Sequence, residues 1–136
     1  MTAKTLAKQY NDDFEKACAP LHFALSTRAG TECVAYALRA ATELNTELTI
    51  LSVDDIEAYD MMRRRAMLEK LHTLPRARAI LPFVRMSYGA PSTYQSQDDE
   101  DTVHTILQGE GEEQGDSLMP TLCSLGQHDA LKAVQR

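Results

Sequence analysis

The chain has 136 residues, 43% of them apolar and 25% charged, with a formal net charge of −6. That is enough chain for one domain with a real core, and the acidity speaks against a generic nucleic-acid binder. No apolar run approaches the roughly 18 residues of a spanning helix, and the N-terminus lacks the apolar stretch of a secretory signal.

Residues 3–17 have helical composition, with Leu6, Tyr10 and Phe14 four apart on one face. The stretch "CAPLHFALSTRAG" reads as irregular chain. Thr31 is placed to cap a helix over "ECVAYALRAATELN", whose Val34, Ala37, Leu38 and Ala41 form an apolar stripe. "ELTILSVD" (47–54) is short, β-branched and apolar, and predicts a strand buried on both faces. "YDMMRRRAMLEKLHTL" predicts a helix anchored by Met61, Met67, Leu68 and Leu71 and ended by Pro75. "RARAILPFVRMSYG" predicts another, with Pro82 kinking it or marking its start. "STYQSQ" and "TVHTILQ", joined by the acidic "DDED", predict a hairpin. "SLMPTLCSLGQHDALKAV" is the last helix, with Pro120 tolerable only in its first turn. The order α-α-β-α-α-β-β-α describes an α+β layered domain, not a doubly wound series.

Cys18, Cys33 and Cys123 are odd in number and form no CxxC pair. They read as reduced thiols of an intracellular protein, cytoplasmic or nuclear. His22, His72, His104 and His128 lack metal-ligand spacing and read as surface or boundary residues. The basic residues are unevenly placed. Arg63, Arg64, Arg65, Lys70, Arg76, Arg78 and Arg85 are seven of the fourteen, whereas Asp98–Asp101, Glu110, Glu112, Glu113, Asp116 and Asp129 make the C-terminal third acidic. The basic middle is either a solvated helix face or a surface for phosphates.

Two acidic motifs stand out. In "SVDDIEAYD" (52–60), Asp54 ends the expected strand and Asp55, Glu57 and Asp60 follow within six residues. Such carboxylates repel one another unless protonated or bridged by a cation such as Mg²⁺; the alternative is a solvated acidic turn. The second motif, "QGEGEEQGDSLMP" (108–120), is Gly-rich but has neither the lysine of a P-loop nor the dinucleotide glycine spacing. Its glycines suit close backbone approach, and the Gln114 amide both donates and accepts. Glu110, Glu112 and Glu113 are expected to face solvent.

Together the motifs resemble reverse transcriptases of the non-LTR (LINE-type) retrotransposons. Asp54 through "AYD" (58–60) is similar to that family's D-x-x-x-A-[FY]-D, and "QGDSLMPTLCSL" (114–125) to its QG-x-P-L-x-P-x-L-F. "ALSTRAGTECVAYAL" looks like the approach from the fingers into the palm, so the resemblance covers about residues 18–132. It implies a partial right-hand polymerase palm, with an N-terminal helix over 1–17 and a fingers/palm portion over 18–136. It implies RNA-directed DNA polymerase activity: transfer of a nucleotidyl group from a dNTP to a DNA primer 3′-OH on an RNA template, with Mg²⁺ as cofactor. By the same resemblance Asp54 is the catalytic aspartate and metal ligand, with Val53 and Asp55 beside it in the metal shell. Tyr59 is the steric gate at the sugar, and Gln114 and Gly115 pack on the nascent base pair. Arg63, Arg64 and Arg65 are the candidates for nucleic-acid backbone contact, although no motif assigns them that role.

Ser117 stands where the family has proline, and Cys123 where an aromatic is common. No [FY]-x-D-D tetrad follows the Gln-Gly pair, so the hairpin carrying the other metal-binding aspartates, and the thumb, are lacking. One carboxylate does not build a two-metal centre. The expectation is therefore a palm fragment, a truncated element or a partial gene product, that does not polymerise DNA. Two other readings stand beside it: a non-catalytic nucleic-acid-binding remnant, and an acidic protein-interaction domain.

Overall fold

The computed structural model describes residues 2–25, 27–54, 56–113 and 115–134. Their elements in chain order are α1 (Thr2–Gln9), α2 (Asn11–Cys18), α3 (Gly30–Leu44), α4 (Arg64–Thr73), a 3-10 turn (Ala77–Ile80), α5 (Leu81–Tyr88), β1 (Ser92–Gln97), β2 (Val103–Gln108) and α6 (Met119–Val134). The fold is α+β: six helices and one two-stranded antiparallel sheet among the described residues.

The core forms where helical spacing puts apolar side chains on one face. Met67 and Leu71 of α4 are fully buried against Leu122 and Leu125 of α6, with Leu118 just ahead of that helix. Phe14 and Cys18 of α2 cover one side, and Ala77, Ile80, Leu81 and Val84 close the other. Each large side chain buried this way contributes about 1.5–3 kcal/mol. α2 packs on α6, so the N-terminal residues are part of this core. Residues 2–18 form two helices rather than one, the break falling at Tyr10.

Pro82 marks the start of α5 rather than a kink, because the first turn of a helix needs no N–H there. Pro120 likewise occupies the first turn of α6. The hairpin forms as expected, in the register Ser92↔Gln108 to Gln97↔Val103. Asp98 ties its turn: one carboxylate oxygen accepts from the N–H of Glu100 and Thr102, and the other lies 2.7 Å from His104 Nε2. The His104 contact, then the backbone donors, hold Asp98 below the usual carboxylate range.

Several expectations are overturned. Residues 47–54 form no strand, and their apolar side chains are exposed, Leu51 at 84%. Among the described residues β1 and β2 pair only with each other, so this segment has no strand partner, and an unpaired strand does not hold itself. α4 starts five residues later than its apolar spacing suggests, after a turn in which Glu57 takes φ 50° and Met61 is exposed. α3 begins at Gly30 with Ala29, not Thr31, preceding it, and none of its residues is buried, so the Val34–Leu38 stripe faces outward. His128 is buried in α6; its Nδ1 and the Nε2 of His22 have no partner, with the rings 6.4 Å apart. Cys18 and Cys123 are buried and Cys33 exposed, all as free thiols. Burial pushes the Cys18 thiol up to about 11, against the opposing pull of Lys70.

Candidate functional site

Arg64 opens α4 and is one of its three buried residues: with Met67 and Leu71 it follows the i, i+3, i+7 spacing of that stripe. It is only 4% exposed. Its guanidinium donates from Nε to the Gly111 carbonyl at 2.7 Å, from Nη1 to the Ala90 carbonyl at 2.7 Å, and from Nη2 to Ser92 Oγ at 3.0 Å. The guanidinium carbon lies 5.5 Å from the centre of the Tyr88 ring, within cation–π range. One arginine thereby ties α4 to α5, to the start of β1 and to the Gly-rich loop. The expectation that it contacts a nucleic-acid backbone gives way to this internal role, whereas Arg63 and Arg65 are exposed.

The loop after β2 is seated on that arginine and on the segment before α4. Gly111 N–H donates to the Met62 carbonyl at 2.8 Å, and Glu112 N–H to the Tyr59 carbonyl at 3.0 Å. Glu110 accepts from the backbone N–H of Arg64 at 2.7 Å. The Tyr88 hydroxyl donates to Asp116 at 2.7 Å, and Asp116 also accepts from Leu118 N–H at 3.0 Å, just ahead of α6. The Tyr94 hydroxyl of β1, with one proton to give, lies within hydrogen-bond distance of Glu113 and, at 2.8 Å, of Gln108. Burial, reinforced by the Asp116 contact, raises the Tyr88 hydroxyl well above its ordinary value.

Glu112 departs from expectation most. It is 1% exposed, and neither carboxylate oxygen has a hydrogen-bond partner. Loss of hydration, with Asp116 adding repulsion and Arg64 opposing it, pushes its carboxyl up to about 8. It is therefore mostly protonated at neutral pH. Glu110 is exposed as expected, and Glu113 is half-buried.

The glycines act through backbone geometry. Gly111 has φ +76°, and a Cβ there would meet the Asp60 carbonyl oxygen at 2.2 Å. Gly115 has φ +93° with open space around it. Gly111→Ala is expected to cost about 2 kcal/mol or more, from strain and a backbone clash, and Gly115→Ala only about 1 kcal/mol from strain. Urea midpoints of the two variants check this order.

The residues singled out from the sequence are partly assembled. Val53 and Asp54 are exposed in irregular chain, and Tyr59 is 39% exposed in the turn before Arg63. Asp55 and Gln114 lie outside the described residues. Tyr59 is joined to the Gly-rich loop through its carbonyl; among the described residues Val53 and Asp54 share no hydrogen bond with that loop. No group of three or more His, Cys, Asp or Glu side chains suited to a metal forms among the described residues. Among the described residues, Asp54 therefore stands without the set of carboxylates that Mg²⁺ needs. The letters Tyr10-Asn11-Asp12-Asp13 fit the [FY]-x-D-D pattern, but they open α2 rather than a hairpin, and Asp13 lies 3.6 Å from Arg76. Sequence reasoning missed the structural use of Arg64 and the burial of Glu112; for Arg64 the signal was its spacing from Met67 and Leu71.

A cleft opens where α4 and α5 diverge, with Gly109 and Glu110 as its third wall and a volume of about 580 Å³. Arg65 and His72 line one side, Arg85 and Tyr88 the other, and Arg64 lies between them. Among the described residues no helix is long and apolar enough to cross a membrane. The chain matches no protein-family model, no curated protein and no solved structure.

Proposed function

We propose that this chain is a palm portion of a non-LTR-type reverse transcriptase that engages nucleic acid without polymerising it. The observation that carries this reading is the meeting of two segments about fifty residues apart. The turn holding "AYD" and the loop leading to "QGDSLMP" are joined by the Gly111–Met62 and Glu112–Tyr59 backbone hydrogen bonds. In such a polymerase these two segments serve one site, the incoming nucleotide and its base pair. Tyr59 presents part of its side chain to solvent, and the open space around Gly115 leaves the backbone accessible to a flat partner. Asp54 is the proposed Mg²⁺ ligand, and a complete two-metal centre needs further carboxylates beside it.

The purified chain is expected to bind an RNA–DNA primer–template in low salt and to extend the primer with neither Mg²⁺ nor Mn²⁺. Asp54→Ala is expected to leave that binding unchanged. Primer extension that disappears in Asp54→Ala would overturn the binding-only reading. Failure to bind any primer–template at low salt would overturn the nucleic-acid reading altogether and leave an acidic interaction domain.

A further inference from the structure

The geometry points to the cleft between α4 and α5 as a seat for a single RNA strand, with Arg85 as its principal phosphate contact. This deepens the reading above and rests on it. One wall is a single face of α4, on which Arg65, Leu68 and His72 recur at helical spacing; the other is Arg85 and Tyr88, three apart on α5. The volume of about 580 Å³ lies within the range of sites that hold small ligands.

The charges in the cleft are unequally committed. Arg64 is bound to three neutral acceptors, so its charge is not cancelled by a hydrogen-bonded carboxylate. Arg65 is held by Glu69 at 2.7 Å, and Glu110 by the Arg64 N–H at 2.7 Å. Both acidic groups of the cleft are thus occupied. The Arg85 guanidinium is exposed and has no side-chain partner among the described residues. Three arginines face two glutamates, leaving a local positive surplus on a chain whose net charge is −6. Leu68 adds an apolar surface, and the Gly89–Pro91 and Gly109 backbone forms a wall without bulky side chains. An arginine fork for phosphate beside a flat, partly apolar wall suits an unpaired strand, whose phosphates and base faces are both accessible.

The test uses the full chain and a labelled oligouridylate of about twelve nucleotides, within the span of single-strand sites. Affinity is measured across a salt series for the unsubstituted chain and for Arg85→Glu, Arg85→Lys, Arg65→Ala and Arg39→Glu. The last makes the same charge change on exposed α3, outside the cleft. Arg85→Glu is expected to weaken binding about tenfold and to lower the salt slope by about one. Arg85→Lys is expected to retain most of the affinity, Arg65→Ala to lose a few-fold by roughly the weight of one phosphate contact, and Arg39→Glu to change little. Circular dichroism confirms that each variant folds; the exposure of Arg85 makes a folding failure unexpected. If Arg85→Glu and Arg39→Glu weaken binding equally, or neither does, the cleft is not the seat, while the nucleic-acid reading stands. If the unsubstituted chain binds neither the oligouridylate nor a primer–template at low salt, both fall.

Discussion

Glu112→Gln is expected to stabilise the protein at and above neutral pH and to remove most of its pH dependence between about 5 and 8. The Glu112 carboxyl is raised from 4.5 to about 8 in the fold. The folded state thus holds this proton more tightly than the unfolded chain. The group's contribution is fully present below 4.5, falls as pH rises, and is gone above about 8. The slope is about 1.4 kcal/mol per pH unit, which makes the ionisation penalty about 3 kcal/mol at pH 7. A glutamine keeps the shape and cannot ionise, but its buried amide still lacks partners and gives back about 1–2 kcal/mol. The net gain expected is roughly 1–2 kcal/mol at pH 7 and larger at pH 9, read from urea unfolding across a pH series. Equal pH slopes in the two proteins would show that Glu112 does not titrate as its burial requires. The histidines act in the opposite sense. Burial lowers His22 and His128 below 6.5, with Lys132 and Lys70 adding to the effect at His128. Their contribution is present above 6.5 and lost as pH falls, so it survives in Glu112→Gln as an acid limb.

Arg64→Leu is expected to cost about 3 kcal/mol or more, whereas Arg65→Leu one position on changes stability by no more than about 0.5 kcal/mol. The leucine fills part of the volume but strands the Gly111 and Ala90 carbonyls, each of which now accepts a charge-assisted hydrogen bond. Arg65 is exposed, and its pair with Glu69 lies at the surface, where such pairs contribute little. Arg64→Lys is expected to recover only part of the loss, because an ammonium group does not reproduce the planar fork that reaches three acceptors. Arg64 also opposes the rise of the Glu112 carboxyl. Above about pH 8, where Glu112 ionises in the fold, the effects of Arg64→Leu and Glu112→Gln are therefore expected not to add: without the arginine the buried carboxylate is worse off and its replacement gains more, whereas at pH 7 the protonated carboxyl leaves the two nearly additive. Urea unfolding of both single variants and the double variant at pH 9 measures this coupling; additivity there would mean the two groups are electrostatically independent.

Local chemistry by itself determined much of the scaffold. Alternation and turn residues placed the hairpin, Pro120 placed the first turn of α6, Pro82 narrowed α5 to a kink or a start, and the spacing of Met67 and Leu71 marked the buried side of α4. These features depend on residues close in sequence, and steric and hydrogen-bonding rules settle them there. Tertiary structure alone decided the rest. Residues 47–54 have strand composition, but a strand needs a neighbour to take its backbone hydrogen bonds, and among the described residues none pairs with them. Among three consecutive arginines, the middle one became the tie because its acceptors arrive from 26 to 47 residues away. Glu112 is buried for a similar reason: the loop that carries it is pinned to the Tyr59 and Met62 carbonyls, and that docking takes the carboxyl out of water. Whether a charged side chain is a solvated group, a structural tie or an unpaired buried acid depends on partners distant in the chain.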